Sequence, residues 1–166
     1  MIDSGTTHAH AGGEYVARRR ESFEAAALLG VDRLRDLDTS AMPRIDRLPP
    51  MLARRARHIV TENGRVLEAV AALRAGDVPR LGTLFAQSHA SMRDDYETST
   101  PEIDVLVELS ERHRNVYGAR LTGGGFGGAV VIVARAGAGM QTAREICNDY
   151  QRRTERRGRV LVPMRE

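Results

Sequence analysis

The sequence predicts an α+β fold, a small and mostly antiparallel sheet with helices packed against it. Three observations carry the prediction. Met51 to Ala75 repeats its apolar residues at roughly the 3.6-residue helical period. Ala129 to Ala134, read Ala-Val-Val-Ile-Val-Ala, is a continuous β-branched run of the kind found in buried strands. Between this run and a second strand signal, Ala119 to Thr122, lies a glycine-rich stretch, Gly123 to Gly128.

Taken in order, Ile2 to Thr7 reads as a strand. Glu14 to Leu29 reads as a helix with Tyr15, Phe23, Ala26, Ala27 and Leu29 among its apolar positions, stopped by Gly30. Asp32 to Asp38 is short and turn-rich, and Pro43, Pro49 and Pro50 break the following stretch into a loop. In the Met51–Ala75 helix, Leu52, Ala56, Ile59, Val60, Val66, Leu67, Val70, Ala71 and Leu73 form the inward stripe, with a bend or break expected at Asn63-Gly64. Asp77 caps a helix to about Arg93 with Leu81, Leu84, Phe85, Ser88 and Met92 inward. Thr100-Pro101-Glu102 starts another to near Val116: a capping hydroxyl, proline in the first turn, and an acid beside the positive end of the dipole. A last helix spans Met140 to about Arg153, and Val160 to Val162 is a final strand. All 166 residues read as a single domain.

Composition narrows the possibilities. Aromatic content is 4%, with no Trp, so the core rests on aliphatic side chains. No apolar run approaches the ~20 residues of a membrane helix, and the first residues have neither the basic nor the apolar region of a secretory signal, so a cytoplasmic location and no membrane partner are expected. The single cysteine, Cys147, on the apolar side of its helix, reads as a structural thiol. All 25 basic residues are Arg, which rules out a G-x-x-x-x-G-K-[ST] phosphate loop within this chain. Net charge is only +3, and the cluster Arg152 to Arg159 lacks interleaved aromatics; it reads as a solvated helix end rather than a nucleic-acid site. Arg18-Arg19-Arg20, balanced by Glu14, Glu21 and Glu24, reads the same way.

The glycine stretch, Gly123-Gly124-Gly125-Phe126-Gly127-Gly128, formally matches the dinucleotide fingerprint G-x-G-x-x-G. That motif needs a helix after it, whereas here a strand follows, so the loop joins two strands. Its five glycines fit either a nest of backbone N–H groups for an anion or a tight connection in which any Cβ clashes. Phe126 anchors the loop in the core. Two other groups carry titratable side chains in close succession. His8-Ala-His10, with His89 or His113, has no recognised zinc spacing, and no metal site is assigned. Asp94-Asp95-Tyr96-Glu97 reads as carboxylates that cap neighbours or pair with Arg.

Arg120-Leu-Thr-Gly-Gly-Gly-Phe-Gly-Gly128 resembles the third signature motif of the GHMP kinase family in its galactokinase form. His89 to Asp104 is similar to the segment that precedes this motif, and Gly13 to Arg20 to the helix carrying a sugar-contacting tyrosine; Arg54 to His58 and Val116 to Arg120 also fit, in family order across essentially the whole chain. The resemblance implies a GHMP kinase C-terminal domain with a ferredoxin-like sheet. It implies transfer of the ATP γ-phosphoryl group, with Mg²⁺, to the anomeric hydroxyl of galactose in the intact enzyme. It makes Tyr15 the substrate-binding residue and Gly123, Gly124, Gly125, Phe126, Gly127 and Gly128 the loop bordering the active site. The family's first motif, its phosphate loop and its catalytic Asp have no counterpart here, so no catalytic residue is assigned, and this chain alone is expected to bind neither ATP nor Mg²⁺ and to be inactive. Thr100 stands where the family often has Cys, and Thr6-Thr7 where a basic residue is more usual. The chain is therefore expected to be part of a longer kinase, opening inside a strand and leaving an exposed sheet edge and an apolar surface. These would meet an N-terminal half or a second copy. The alternative is a non-catalytic module of the same descent that binds a sugar or a protein.

Overall fold

The computed structural model describes residues 1–7 and 11–161. Strand β1 (Ile2–Thr7) leads into α1 (Ala11–Leu28), α2 (Met42–Ile45), α3 (Pro50–Ala75), α4 (Val78–Asp94) and α5 (Pro101–Glu111); β2 (Val116–Thr122), β3 (Gly127–Ala134), α6 (Gly139–Thr154) and β4 (Arg159–Val160) follow. The sheet order is β2-β3-β1-β4, every pairing antiparallel. Read from the other edge this is 4-1-3-2, the ferredoxin-like arrangement, with five helices filling the first crossover and α6 the second. Both capping signals act as expected. Asp77 accepts from the Arg80 N–H (3.0 Å) and Thr100 from the Ile103 N–H (3.4 Å), each with proline in the first turn.

Two apolar clusters form. One lies between the sheet and α5 and α6 and includes Ile2, Leu106, Leu121, Val130, Ile146 and Tyr150. Cys147 packs against it half-buried, and burial pushes its thiol above the ordinary range, as suits a structural role. The other is helical, with Ala25, Leu29, Ile45, Leu52, Ala56 and Val60 among its members. Between them α4 lies on β2, where Gly82 and Gly118 bring the two backbones so close that a Cβ on either would strike the other element.

Four expectations need correction. The proline-rich stretch is not simply a loop: Asp38 caps a 3-10 turn at Thr39–Ala41 through the Ser40 N–H (2.8 Å), and α2 follows with Pro43 in its first turn, where a proline removes no needed donor. The helix does not break at Asn63-Gly64: one continuous α3 runs through it, and bonds from Arg65 Nε to Glu62 Oε2 (2.7 Å) and from Arg65 Nη2 to Thr61 Oγ1 (2.9 Å) straddle the position. Val66, Leu67, Val70 and Leu73 do not face inward; they form an exposed stripe where α3 runs past the helical core. Finally, β1 is no sheet edge at its start, since Ile2 pairs with Val130 on one side and Val160 on the other. Val162 of the expected last strand lies outside the described residues, as do His8 and His10.

Candidate functional site

The glycine stretch joins two antiparallel strands, β2 and β3, and no helix springs from it, so it is not a dinucleotide fingerprint. The bend covers residues 123–126, and Gly127 and Gly128 already belong to β3. The structure divides the six residues by role. A Cβ on Gly125 would come within 2.7 Å of both Cβ and O of Thr98, and one on Gly127 within 2.7 Å of Thr6 O, both at positive φ. These two are packing glycines. Gly123 and Gly124 are exposed, with open space where a Cβ would stand, so close packing does not require them. Phe126 has its ring buried and its backbone at φ 60, a left-handed conformation rare for a bulky residue. Its N–H donates to Thr98 O at 2.7 Å.

Tyr15 stands on α1, 58% exposed. It lines a groove of about 290 Å³ together with Arg19, Ser22 and Phe23 of the same helix, Leu34 of the following turn, and Tyr96. One helical turn on, Arg18 connects this helix to the glycine loop. Its guanidinium carbon sits 5.9 Å from the centre of the Phe126 ring, and Nε donates to Tyr96 O at 2.6 Å. Arg18 is thus not the solvated charge its triplet implies.

The acidic run pairs with arginine, as expected. Glu97 accepts from Arg55 Nη2 at 2.6 Å and meets Arg54 at 2.9 Å and Arg18 at 3.6 Å. The Arg55 hydrogen bond and the surrounding cations hold the Glu97 carboxyl below the usual carboxylate range. Asp95 takes Arg57 (3.5 Å) and Ser91 Oγ (3.0 Å), and Asp94 takes Arg93 (2.7 Å). Arg55 is only 1% exposed, the largest of the fully buried side chains. The basic cluster near the C-terminus is paired as well: Arg153 with Glu108, Arg156 with Glu102 and Arg159 with Asp3.

Behind the groove, the His58 ring stacks on Tyr96 with centroids 4.5 Å apart, and its Nδ1 lies 3.0 Å from Ser91 Oγ. Burial lowers its pKa to about 4. Farther along, Glu62 accepts from Ser88 (2.6 Å), Arg65 (2.7 Å) and Arg120 (3.1 Å), tying α3 to α4 and β2. Burial pushes the Glu62 carboxyl up, and these donors outweigh it and hold the group low. His89 Nδ1 accepts from the Leu121 N–H (3.4 Å), and its buried Nε2 lies 3.2 Å from Asp104 Oδ1 without hydrogen-bond geometry.

The sequence singles out the loop and Tyr15 as candidates but does not bring forward the Arg55 hub. The signal was present: Arg55 interrupts the apolar stripe of α3 between Leu52, Ala56 and Ile59, and a charge in such a place needs a buried partner.

The ferredoxin-like sheet thus carries a glycine bend at its β2–β3 connection, and Arg18 links that bend to the helix bearing Tyr15. The family described as GHMP kinases C terminal matches residues 69–152, and the chain belongs to that family. It is 46% identical over 159 residues to a galactokinase of Mannheimia succiniciproducens and 42% identical over 159 residues to one of Haemophilus influenzae. In each case the match covers 93% of this chain and 41% of the relative, so the chain spans about two fifths of the length of these curated relatives. The crystal structure of Lactococcus lactis galactokinase complexed with galactose superimposes with a TM-score of 0.86 at 28% identity, covering 95% of this chain and 42% of that one.

Proposed function

We propose that this chain forms the C-terminal wall of the sugar cleft in a galactokinase-type kinase. The complete enzyme moves the γ-phosphoryl group of ATP, with Mg²⁺, to the anomeric hydroxyl of galactose. The observation that supports this reading is Arg18, which joins the Tyr15 helix to the glycine bend through the Phe126 ring and Tyr96 O; on this reading the Tyr15 phenol and the exposed backbone of the bend face the same cleft. Tyr15 presents ring and hydroxyl to the sugar. Gly123 and Gly124 border the place where the phosphoryl group arrives, without side chains to obstruct it.

The residues here do not fit a Mg²⁺ site at this edge. Glu97, Asp95 and Asp94 are each committed to arginines, so no step of the transfer is assigned to a metal they hold. The chain has no lysine, which excludes a G-x-x-x-x-G-K-[ST] phosphate loop, and it carries no counterpart of the family's own glycine- and serine-rich phosphate loop. On this reading it does not phosphorylate galactose alone, and its partner is the N-terminal part of such a kinase.

The test is complementation. The purified chain is mixed with a separately produced N-terminal segment of the Mannheimia succiniciproducens relative, covering the part that this chain does not match, and galactose-dependent ADP release is followed. Neither piece alone should turn over. The mixture should, and Tyr15→Ala should raise the galactose KM by about 10- to 100-fold. Turnover by the chain alone, or a mixture indifferent to Tyr15→Ala, overturns the proposal.

A further inference from the structure

We infer that Arg55 is a positioning residue for the cleft: it holds the glycine bend in register with the Tyr15 helix by gripping the segment 95–98 that both elements share. This deepens the reading above and rests on it only for the kinetic arm of its test.

Arg55 divides its guanidinium three ways. Nε donates to Glu21 Oε2 on α1 at 2.7 Å, Nη1 to Asp95 O at 2.5 Å, and Nη2 to Glu97 Oε2 at 2.6 Å. One buried cation therefore joins α1, α3 and the chain leaving α4. Arg18 holds the same segment from α1 through Tyr96 O and Glu97 O. One residue beyond Glu97, Thr98 accepts the Phe126 N–H and fills the space beside Gly125. The route from Arg55 to the bend is thus continuous, running through Glu97, Thr98 and Phe126.

Two further observations point to alignment as its purpose. Glu97 and Phe126, which both lie on the route, are non-glycine residues at positive φ (54 and 60). Such backbone persists where surrounding contacts over-determine it, and it collects where geometry must be kept. In addition, α1 packs in the helical cluster while the strands flanking the bend contribute to the sheet cluster, and neither apolar cluster includes residues of both. Directional bonds to segment 95–98 therefore supply an alignment that hydrophobic contact does not.

The test is amide hydrogen exchange on the full 166-residue chain and two variants. Glu97→Gln keeps the shape at a part-exposed position and removes the charge that three arginines share. Arg55→Lys keeps the charge and cannot reach three acceptors at once. Expected in Glu97→Gln is exchange at the Phe126 amide about tenfold faster, with the Leu121 and Val130 amides within about twofold of the unsubstituted chain. A folded Arg55→Lys should show a larger effect at the same amide. Unchanged exchange at Phe126 in Glu97→Gln overturns the inference whatever Arg55→Lys does, and so does equal acceleration of bend and strands, which would mark general destabilisation. In the complemented enzyme, Glu97→Gln should lower kcat/KM for galactose about tenfold while the KM for ATP stays put. A wild-type mixture without activity defeats the cleft assignment, and the exchange result then decides this inference alone.

Discussion

Gly125 and Gly127 combine positive φ with no room for a Cβ, whereas Gly124 has neither constraint. Gly127→Ala should therefore lower unfolding stability by about 2–4 kcal/mol, since both strain and overlap with Thr6 O oppose it. Gly124→Ala should change stability by less than about 0.5 kcal/mol in urea titrations. Equal losses at both positions would mean that the whole bend is held by packing. Sequence alone left function and packing as alternatives for the loop as a unit, because glycine content does not say which Cβ positions face another backbone. The answer depends on Thr98 and Thr6, residues distant in the chain. His58 supplies a second test at this scale. Its native pKa of about 4 lies below the unfolded value near 6.5, so the unfolded chain binds the extra proton between those limits. Stability from the neutral ring is complete above about pH 6.5 and is lost as pH falls toward 4, by up to about 3 kcal/mol. The stability gap between the wild type and His58→Gln, measured by urea unfolding across this window, should shrink steadily as pH falls; a constant gap counts against a neutral buried ring.

Among the elements, caps and strands were the most legible, because Asp77, Thr100-Pro101 and the run Ala129–Ala134 act through local chemistry. Those less legible depended on neighbours. The 3.6-residue pattern of α3 runs its full length, yet periodicity reports only that one face is apolar, and the helical core ends before Val66. The tie between α3 and β2 was equally hidden, since Glu62 and Arg120 lie 58 residues apart. Glu62→Gln should cost about 1–3 kcal/mol, and a double-mutant cycle with Arg120→Met should return a coupling of about 1 kcal/mol. Additive losses within error would show that the two side chains act independently.

At the level of the whole molecule, the exposed stripe on α3 is the clearest unfinished surface, with Leu67 at 72% and Leu73 at 64% exposure. It replaces the sheet edge as the reason to expect association, because β1 begins paired on both sides. Light scattering of the isolated chain should show mass rising with concentration, and Leu67→Glu with Leu73→Glu should abolish the rise. A strictly monomeric wild type would remove the stripe as a contact. The two separate apolar clusters carry one more consequence. The Tyr15 helix and the glycine bend each ride on their own oily foundation and are lashed together by polar cords. Agents that compete for such cords, urea at low dose above all, should misalign the two while both foundations still stand; on the proposed function, the complemented enzyme should then lose its grip on a sugar before it loses its shape.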